Sequence, residues 1–596
     1  MGKIIILDEN TSNKIAAGEV IERPASVVKE LVENSIDAGA SSITVEIKNG
    51  GIPFLKVTDN GSGMEEDDTE IAFERHSTSK IRSSADLDTI STLGFRGEAL
   101  ASIAAVSHLQ LTTRTKTSPY GIYVGIRGGE ILEKRQTGCP TGTSFLVQDL
   151  FYNTPARYKF LKKDSTEAGY VSDIVERIAL GNPHISIRLV SNGSNVIHTP
   201  GNNDLLSTIF SIYGKEVARE VNRVDYSENS LKITGYIGKP SIARSNRNHQ
   251  SVYINGRYIR NKTISSAVDE AYKTQLMKNR YPFFILNLDI NTLLVDVNVH
   301  PGKLEVRFSN EQDIFRAVYH AVSSALLNRQ LVGGTTLGVQ KAKAPEKFNF
   351  TPKQPKYEQQ VIEPAPKPHD TQEVKEQPVN YQTAVESERP EAEEKQPAAA
   401  GNTLLENARI IGQAFSTYII FQYEDTLVLL DQHAAHERIL FERLRKKYYT
   451  RQPLSQMLIS PVHLELTHME VKLLENEREF FSKFGFIYEN FGNNSIILRA
   501  VPFAVMEGDV KDIFKEVLDR AAASSAPDHG ADVDETLYTI ACKAAVKANK
   551  KLGEAEIREL LKELGGIENP FTCPHGRPVV INITKHDLEK MFKRIV

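Results

Sequence analysis

The stretch Lys29-Glu30-Leu31-Val32-Glu33-Asn34-Ser35-Ile36-Asp37-Ala38-Gly39 decides how the first half of this chain is read. It follows Arg23-Pro24-Ala25-Ser26-Val27-Val28. Pro24 suits a first helical turn, where its missing N–H goes unpaired anyway, and Gly39 suits a helix stop. Val27, Val28, Leu31, Val32 and Ile36 recur at helical spacing, so one face is fit for burial. Glu30 and Asn34 are one turn apart and project from one face. Alone, such a pair is the polar side of an amphipathic helix turned to water. It is also what the start of a site looks like, and the rest of the chain decides between the two.

At 596 residues the chain is too long for one core, and about three domains are expected. Its 40% hydrophobic and 25% charged content is that of soluble globular protein. A net charge of −4 places any nucleic-acid contact in local patches. Cys139, Cys542 and Cys573 make no disulfide framework and fit a reducing cytosol. The apolar run Ile4-Ile5-Ile6-Leu7 is too short for a signal peptide, and no run approaches membrane-spanning length. A cytoplasmic protein with no membrane partner is expected.

Residues 1–204 are expected to form a mixed α/β layer domain. Strand-like runs at 43–47 and 54–58 flank Asn49-Gly50-Gly51, a hairpin signal. Asp59-Asn60-Gly61-Ser62-Gly63-Met64 then puts a carboxylate at a strand end among residues without bulk. Such a carboxylate can accept from an exocyclic amine while the glycines admit a flat ring, although a plain Asx turn is the commoner use of Asp-Asn-Gly. Glu74-Arg75-His76-Ser77-Thr78-Ser79-Lys80 follows, and then Leu93-Gly94-Phe95-Arg96-Gly97-Glu98-Ala99-Leu100. Gly94 and Gly97 precede a helix-prone run, an arrangement that favours an anion at free N–H groups or simply turns the chain. No P-loop pattern occurs. Gly142-Thr143 heads a further strand-like run at 144–147.

The order Glu30-x-x-x-Asn34, Asp59-x-Gly61-x-Gly63, Gly94-Phe95-Arg96-Gly97 and Gly142-Thr143 resembles that of the GHKL ATPase superfamily. The longer runs Ile15–Pro24, Gly94–Leu100 and Leu150-Phe151-Tyr152-Asn153-Thr154-Pro155-Ala156-Arg157 are similar to the MutL mismatch-repair family. The resemblance implies an α/β (α+β) protein: a GHKL ATPase sandwich at 1–204, a ribosomal-S5-like transducer at 205–332, a linker at 333–402 and an α/β dimerisation and endonuclease domain at 403–596. It implies that Glu30 activates water against the γ-phosphate of ATP, that Asn34 ligates Mg²⁺, and that Asp59 reads the adenine amine. Gly61, Gly63 and Thr143 belong to the same cofactor-binding set. Thr78, Ser79 and Lys80, with Gly94, Phe95, Arg96, Gly97, Glu98 and Ala99, would form a lid over the triphosphate. That division suits phosphoryl transfer, which needs positioning and charge neutralisation more than covalent chemistry.

In the second unit, Arg244, Arg247, Arg257, Arg260 and Lys262 lie among Tyr253 and Tyr258, a mix that suits a DNA phosphate backbone or a solvated hairpin surface. The alternation across 296–308 reads as two strands around Pro301-Gly302. By resemblance, Lys303 reaches across domains to the γ-phosphate. From about 335 to 402, Pro345, Pro352, Pro355, Pro364, Pro366, Pro368, Pro378, Pro390 and Pro397 lie among Glu, Gln, Lys and Ala, the composition of a disordered tether.

Near the C-terminus the run Leu427–Leu430 leads into Asp431-Gln432-His433-Ala434-Ala435-His436-Glu437, where His433 and Glu437 are one helical turn apart. Cys573-Pro574-His575 is a short pair of good zinc ligands. With Glu442 and Ala541-Cys542-Lys543, these runs look like those of the nicking-endonuclease branch of the family. By that resemblance Asp431, His433, Glu437, Cys573 and His575 hold Zn²⁺ or Mn²⁺, and Asp431 and Glu437 serve the nicking reaction. Gln456-Met457-Leu458-Ile459-Ser460-Pro461 resembles a motif that docks on the replication sliding clamp. Asp532-Val533-Asp534 lies in a small, polar stretch and is expected to be a loop. The resemblance further implies a homodimer, a MutS-type partner that reads the mismatch, and a nucleoid-associated location. A non-enzymatic ATP-switched matchmaker and a different GHKL machine, such as a type II topoisomerase or a chaperone, are the alternatives.

Overall fold

The computed structural model describes residues 18, 20–79, 97–228, 231–277, 279–296, 306–327, 408–492, 494–523, 530–545, 551–567, 569–573 and 577–595. Lys80, Gly94, Phe95, Arg96, Lys303, His575 and the 333–402 segment lie outside those residues.

The Pro24–Asp37 helix forms where the apolar spacing predicts, with Pro24 in its first turn, Ala38 as C-cap and Gly39 at φ +71° beyond it. Val27, Val28, Leu31 and Val32 are fully buried. They face a sheet built from β1 (Ser42–Lys48), β2 (Phe54–Asp59), β3 (His108–Arg114), β4 (Gly121–Arg127), β5 (Glu130–Thr137), β6 (Gly142–Gln148), β7 (Ser186–Ser191) and β8 (Ser194–His198). Its order is β5-β4-β3-β6-β2-β1-β7-β8, and only β1 and β7 pair in parallel. The inner strands turn alternate residues inward, as Ile43, Val45 and Ile47 show, so one face meets the helices, while the edge strand β5 buries none of its residues. Asn49–Gly51 is a single 3₁₀ turn whose three residues all have positive φ, which is why two glycines stand there. The resulting register sets Ile43 opposite Asp59 and so places the carboxylate at the open end of β2.

Asp204 caps the Leu205–Arg219 helix by accepting from Leu206 and Ser207 N–H. Ile209, Ile212 and Tyr213 of that helix pack into the first core, which continues into Tyr253, Phe283 and Ile285. The second sheet comprises β9 (Val221–Glu228), β10 (Leu231–Gly238), β11 (Gln250–Ile254), β12 (Arg257–Ile259) and β13 (Phe284–Asp289), ordered β12-β11-β13-β10-β9. The Lys262–Tyr272 and Glu311–Leu327 helices share its second core. β14 (Val295–Asp296) pairs antiparallel with β15 (Arg307–Phe308), which flanks the expected Pro301-Gly302 turn.

The C-terminal part contributes β16 (Arg409–Ala414), β17 (Tyr418–Tyr423), β18 (Thr426–Asp431), β19 (Ser455–Glu465), β20 (Ile487–Gly492), β21 (Ser495–Pro502) and β22 (Val580–Thr584). They form two sheets, β16-β17-β18-β22 and β19-β21-β20. The 532–534 run is not a loop: it lies in the Gly530–Ala544 helix. Val533, Leu537, Ile540 and Ala541 are all buried on one face of it, a helical period that the small and acidic neighbours hide. The two halves of the chain meet where the Asp164–Gly181 helix packs on the His468–Asn476 helix. Asn494 Nδ2 donates to the Val196 carbonyl at 3.0 Å there, and Lys215 N–H donates to Glu465 at 2.7 Å. Among the described residues no helix is long and apolar enough to cross a membrane.

Candidate functional site

Asp59 is the hub of the N-terminal site. Its side chain is buried, and Oδ1 accepts from Gly61 N–H at 2.9 Å and Thr143 N–H at 3.1 Å. Oδ2 accepts from the Ser35 hydroxyl at 2.8 Å. Three separate segments therefore converge on one carboxylate: the Pro24–Asp37 helix, the turn after β2 and the start of β6. A carboxylate offers about four acceptor directions, so Oδ2 keeps capacity for one more donor. Thr143 is in turn held through its hydroxyl, 3.1 Å from that of Thr113, which also accepts from Met64 N–H at 2.9 Å.

Glycine is required around this carboxylate for space as well as conformation. Gly142 sits at φ +118°, and a Cβ there would overlap the Asp59 carbonyl oxygen. Gly63, at φ +75°, lies against the Arg114 backbone in the same way. The Asx turn anticipated for Asp-Asn-Gly is present, since Asp59 Oδ1 accepts from Gly61 N–H.

Glu30 and Asn34 are half-buried on the same helix. Lys29 Nζ lies 3.3 Å from Glu30 Oε1 and 3.6 Å from Glu33 Oε1. Burial depresses the Lys29 ammonium, but Glu33 and Glu30 outweigh it and leave its pKa raised. Arg257 of β12 feels Glu33, Asp37 and Glu30 while burial lowers its pKa, so the second sheet reaches the acidic face of this helix. On the other side Gly97, at φ +62°, accepts from His76 N–H at 3.1 Å, and His76 Nδ1 lies 3.5 Å from Glu98. The described remnant of the expected lid, Thr78, Ser79, Gly97, Glu98 and Ala99, thus joins the 74–79 segment at the start of the Ala99–Ala105 helix. Sequence reasoning missed Ser35 and Lys29. Both are adjacent to expected site residues, but nothing in their spacing marks them.

In the C-terminal part Asp431 caps the Gln432–Tyr449 helix, its Oδ1 accepting from His433 N–H at 2.9 Å and Ala434 N–H at 3.1 Å. His433 Nε2 lies 3.2 Å from Glu437 Oε1, and Glu437 is buried. Burial and a hydrogen bond to Glu437 push the Cys542 thiol up to about 12. Cys573 is buried, and its N–H donates to the Arg577 carbonyl, while Asp431 N–H donates to Val579 of the same segment. Glu442 pairs with Arg438 at 2.6 Å. Among the described residues no three His, Cys, Asp or Glu side chains gather closely enough to hold a metal ion. The expected ligands therefore adjoin without closing a ligand shell, and His575 lies outside the described residues. In kind, an imidazole, a buried carboxylate and thiols suit a borderline-soft ion.

The remaining expected residues divide by exposure. Gln456, Met457, Leu458, Ile459 and Pro461 lie on β19, where the β19–β21 register breaks between Met457 and Val462 and leaves Ile459 94% exposed. Arg247, Arg260 and Lys262 are exposed, and Arg247 pairs with Asp269 at 2.6 Å. Arg257 is half-buried. Arg244 is buried between Asp519 and Glu470, so in this conformation it does not face DNA. The composition that suggested a cationic surface could not reveal carboxylates supplied from far along the chain.

Residues 21–124 match the family described as histidine kinase-, DNA gyrase B- and HSP90-like ATPase. Residues 209–327 match the C-terminal domain of DNA mismatch repair protein, and 411–552 the MutL C-terminal dimerisation domain. The DNA mismatch repair protein MutL of Caldanaerobacter subterraneus subsp. tengcongensis is 46% identical over 595 residues, covering all of both chains. That of Thermoanaerobacter pseudethanolicus is 43% identical with the same coverage. The chain belongs to the MutL family of DNA mismatch-repair proteins. A crystal structure titled as the N-terminal domain of a DNA repair protein aligns at a TM-score of 0.47 and 28% identity, over 54% of this chain and 99% of that one. In MutL terms, the Asp59 hub and the Glu30 helix belong to a GHKL-type ATPase fold, and the Asp431 helix belongs to the dimerisation part.

Proposed function

We propose that this MutL-family chain is an ATP-switched homodimer that couples mismatch recognition by a MutS-type partner to downstream repair in the cytoplasm, at the nucleoid. The convergence of Ser35, Gly61 and Thr143 on Asp59, with Ser35 directly following Asn34 on the helix that carries Glu30, is the observation that supports it most. Asp59 Oδ2 has the remaining acceptor capacity that an adenine amine needs. Bound ATP–Mg²⁺ brings the phosphates and their neutralising charge, with Asn34 as a ligand of the ion. Glu30 accepts the proton of the attacking water, and Lys303 reaches the γ-phosphate. Thr78, Ser79, Lys80 and residues 94–99 cover the triphosphate. We divide the chain at 1–204, 205–332, 333–402 and 403–596, with a tether in the third part that lets the N-terminal parts close while the C-terminal parts stay paired. Glu30→Ala is expected to abolish hydrolysis and leave ATP binding measurable; unchanged turnover removes Glu30 as base.

The same chain is proposed to nick DNA through Asp431, His433, Glu437, Cys573 and His575 holding Zn²⁺ or Mn²⁺, which supplies Lewis acidity and a more acidic water. The His433–Glu437 pair beside Cys542 supports this assignment. Arg247, Arg260 and Lys262 carry phosphate contacts, and the exposed 456–461 bulge docks on a sliding clamp. Supercoiled plasmid incubated with purified protein and Mn²⁺ is expected to be nicked. The competing reading is a matchmaker whose C-terminal part only dimerises. Intact plasmid would remove the nicking assignment.

A further inference from the structure

Arg244 lies just past the Pro240–Ile242 turn, and its guanidinium is buried against the C-terminal half of the chain. Nε donates to both oxygens of Asp519, at 2.9 and 3.1 Å, and Nη2 donates to Oδ1 at 2.7 Å. Nη2 also pairs with Glu470. The next two residues extend the same grip. Ser245 donates N–H and hydroxyl to Asp519 Oδ2, both at 3.0 Å, and Asn246 Nδ2 donates to Oδ1 at 3.1 Å. Asp519 stands on the Val510–Ala523 helix and is 2% exposed. One turn earlier on that helix Glu516 pairs with Arg280.

The chemistry of this cluster is specific. A buried carboxylate costs free energy unless charge and hydrogen bonds both compensate it. Here three consecutive residues saturate Asp519. Burial works against the Glu470 carboxylate, but Arg244, His249 and the Thr467 N–H outweigh it and hold its pKa down at about 2. A hydrogen-bonded and desolvated cluster of this kind specifies one docked geometry, unlike a collision between solvated surfaces.

We propose that Asp519 and Glu470 form a docking surface for the 244–246 segment of the same chain, with Glu516 holding Arg280 beside it, and that the phosphate backbone of DNA competes with Asp519 and Glu470 for Arg244. The docking stands on the geometry alone, whereas the competition rests on the DNA-contact reading of this region. Docked, the chain withholds its buried arginine from DNA; undocked, it adds that cation to the exposed set of Arg247, Arg260 and Lys262.

The test uses the full chain and small-angle scattering, with duplex DNA affinity measured alongside. Arg244→Glu and Asp519→Arg are each expected to increase the radius of gyration, and the double charge swap to reverse much of that increase. Asp519→Asn, which adds no cation and keeps the helix, is expected to open the chain and tighten duplex binding at least threefold. Unchanged dimensions in all three single variants overturn the docking. Opening in Asp519→Asn with unaltered duplex affinity overturns the competition and supports the docking surface. Cross-links across 244–519 that form only between differently tagged copies overturn the same-chain assignment.

Discussion

Lys29 Nζ lies 3.3 Å from Oε1 of Glu30, so the proposed general base is held by the residue that precedes it. The same ammonium reaches Glu33 at 3.6 Å, which fixes it from a second direction. In the proposed mechanism Lys29 is a positioning residue that acts through Glu30. A partly buried charged hydrogen bond is worth about 1.5–3 kcal/mol. Lys29→Met is therefore expected to lower ATP turnover roughly tenfold, equivalent to about 1.4 kcal/mol. ATP binding, followed by a fluorescent analogue, should hold within about threefold, or roughly 0.6 kcal/mol. Lys29→Arg should recover part of the rate. Turnover that is indifferent to both substitutions would show that Glu30 needs no such support.

Asp59 carries two duties that substitution separates. Asp59→Ala strands the N–H groups of Gly61 and Thr143 and the Ser35 hydroxyl. Each stranded buried donor costs on the order of 1–3 kcal/mol, so the N-terminal half should lose stability outright. Asp59→Asn keeps one acceptor oxygen but presents an amide nitrogen where the nucleotide amine would donate. It should stay folded by circular dichroism and bind ATP at least tenfold more weakly. Wild-type affinity in the Asn variant would place the adenine elsewhere.

Gly142 tests the close packing behind that carboxylate. Its φ of +118° is open to glycine, and a Cβ there would run into the Asp59 carbonyl oxygen. Gly142→Ala combines backbone strain of about 1–3 kcal/mol with displacement of the Asp59 turn. Both the denaturation midpoint and ATP affinity should fall together. A variant that loses neither would mean that β6 can shift without disturbing Asp59.

Much of this site was legible because it is local. The Pro24–Asp37 helix follows from apolar spacing and its Pro and Gly punctuation, and Asp59 stands out as a carboxylate at a strand end among residues without bulk. Ser35 was not legible, since its hydroxyl acts across 24 positions onto Asp59 and a buried serine has no sequence signature. The burial of Arg244 is not legible for a related reason: its counter-charges come from Asp519 and Glu470, residues that only tertiary packing brings near. The 530–544 helix was hidden by its acidic and small residues, although Val533, Leu537 and Ala541 carry the period. Local pattern reports which face is apolar; it does not report what the polar face meets.

Asp431 offers a substitution that separates charge from structure. Its side chain caps the Gln432–Tyr449 helix, and asparagine caps a helix about as well as aspartate does. Asp431→Asn should therefore change stability by less than about 1 kcal/mol, while Asp431→Ala should lose about 1 kcal/mol through the missing cap. If Asp431 serves the nicking reaction, both variants should leave plasmid intact in Mn²⁺. If it serves only as a cap, Asp431→Asn should nick like the parent chain.

Glu176 gives the interface between the two halves a pH dependence. Burial first, and the neighbouring Asp173 next, push its carboxyl up to about 8 from an ordinary 4.5. Glu470 pushes it further, while Arg177 and the Ser172 hydroxyl at 3.5 Å oppose the rise. A carboxyl with a raised folded pKa keeps its proton in the native state after the unfolded chain has released it. Its contribution is therefore favourable below about 4.5, declines as pH rises to about 8, and is constant above that. Each pH unit across that window corresponds to about 1.4 kcal/mol, an upper limit of a few kcal/mol in all. Glu176→Gln cannot ionise and keeps the shape. Its stability relative to the parent chain should therefore climb between pH 5 and 8 and level off above, as read from urea midpoints at matched pH. Groups not coupled to Glu176 cancel in the comparison, so a difference that stays flat across the window would mean that Glu176 is ionised in the folded chain.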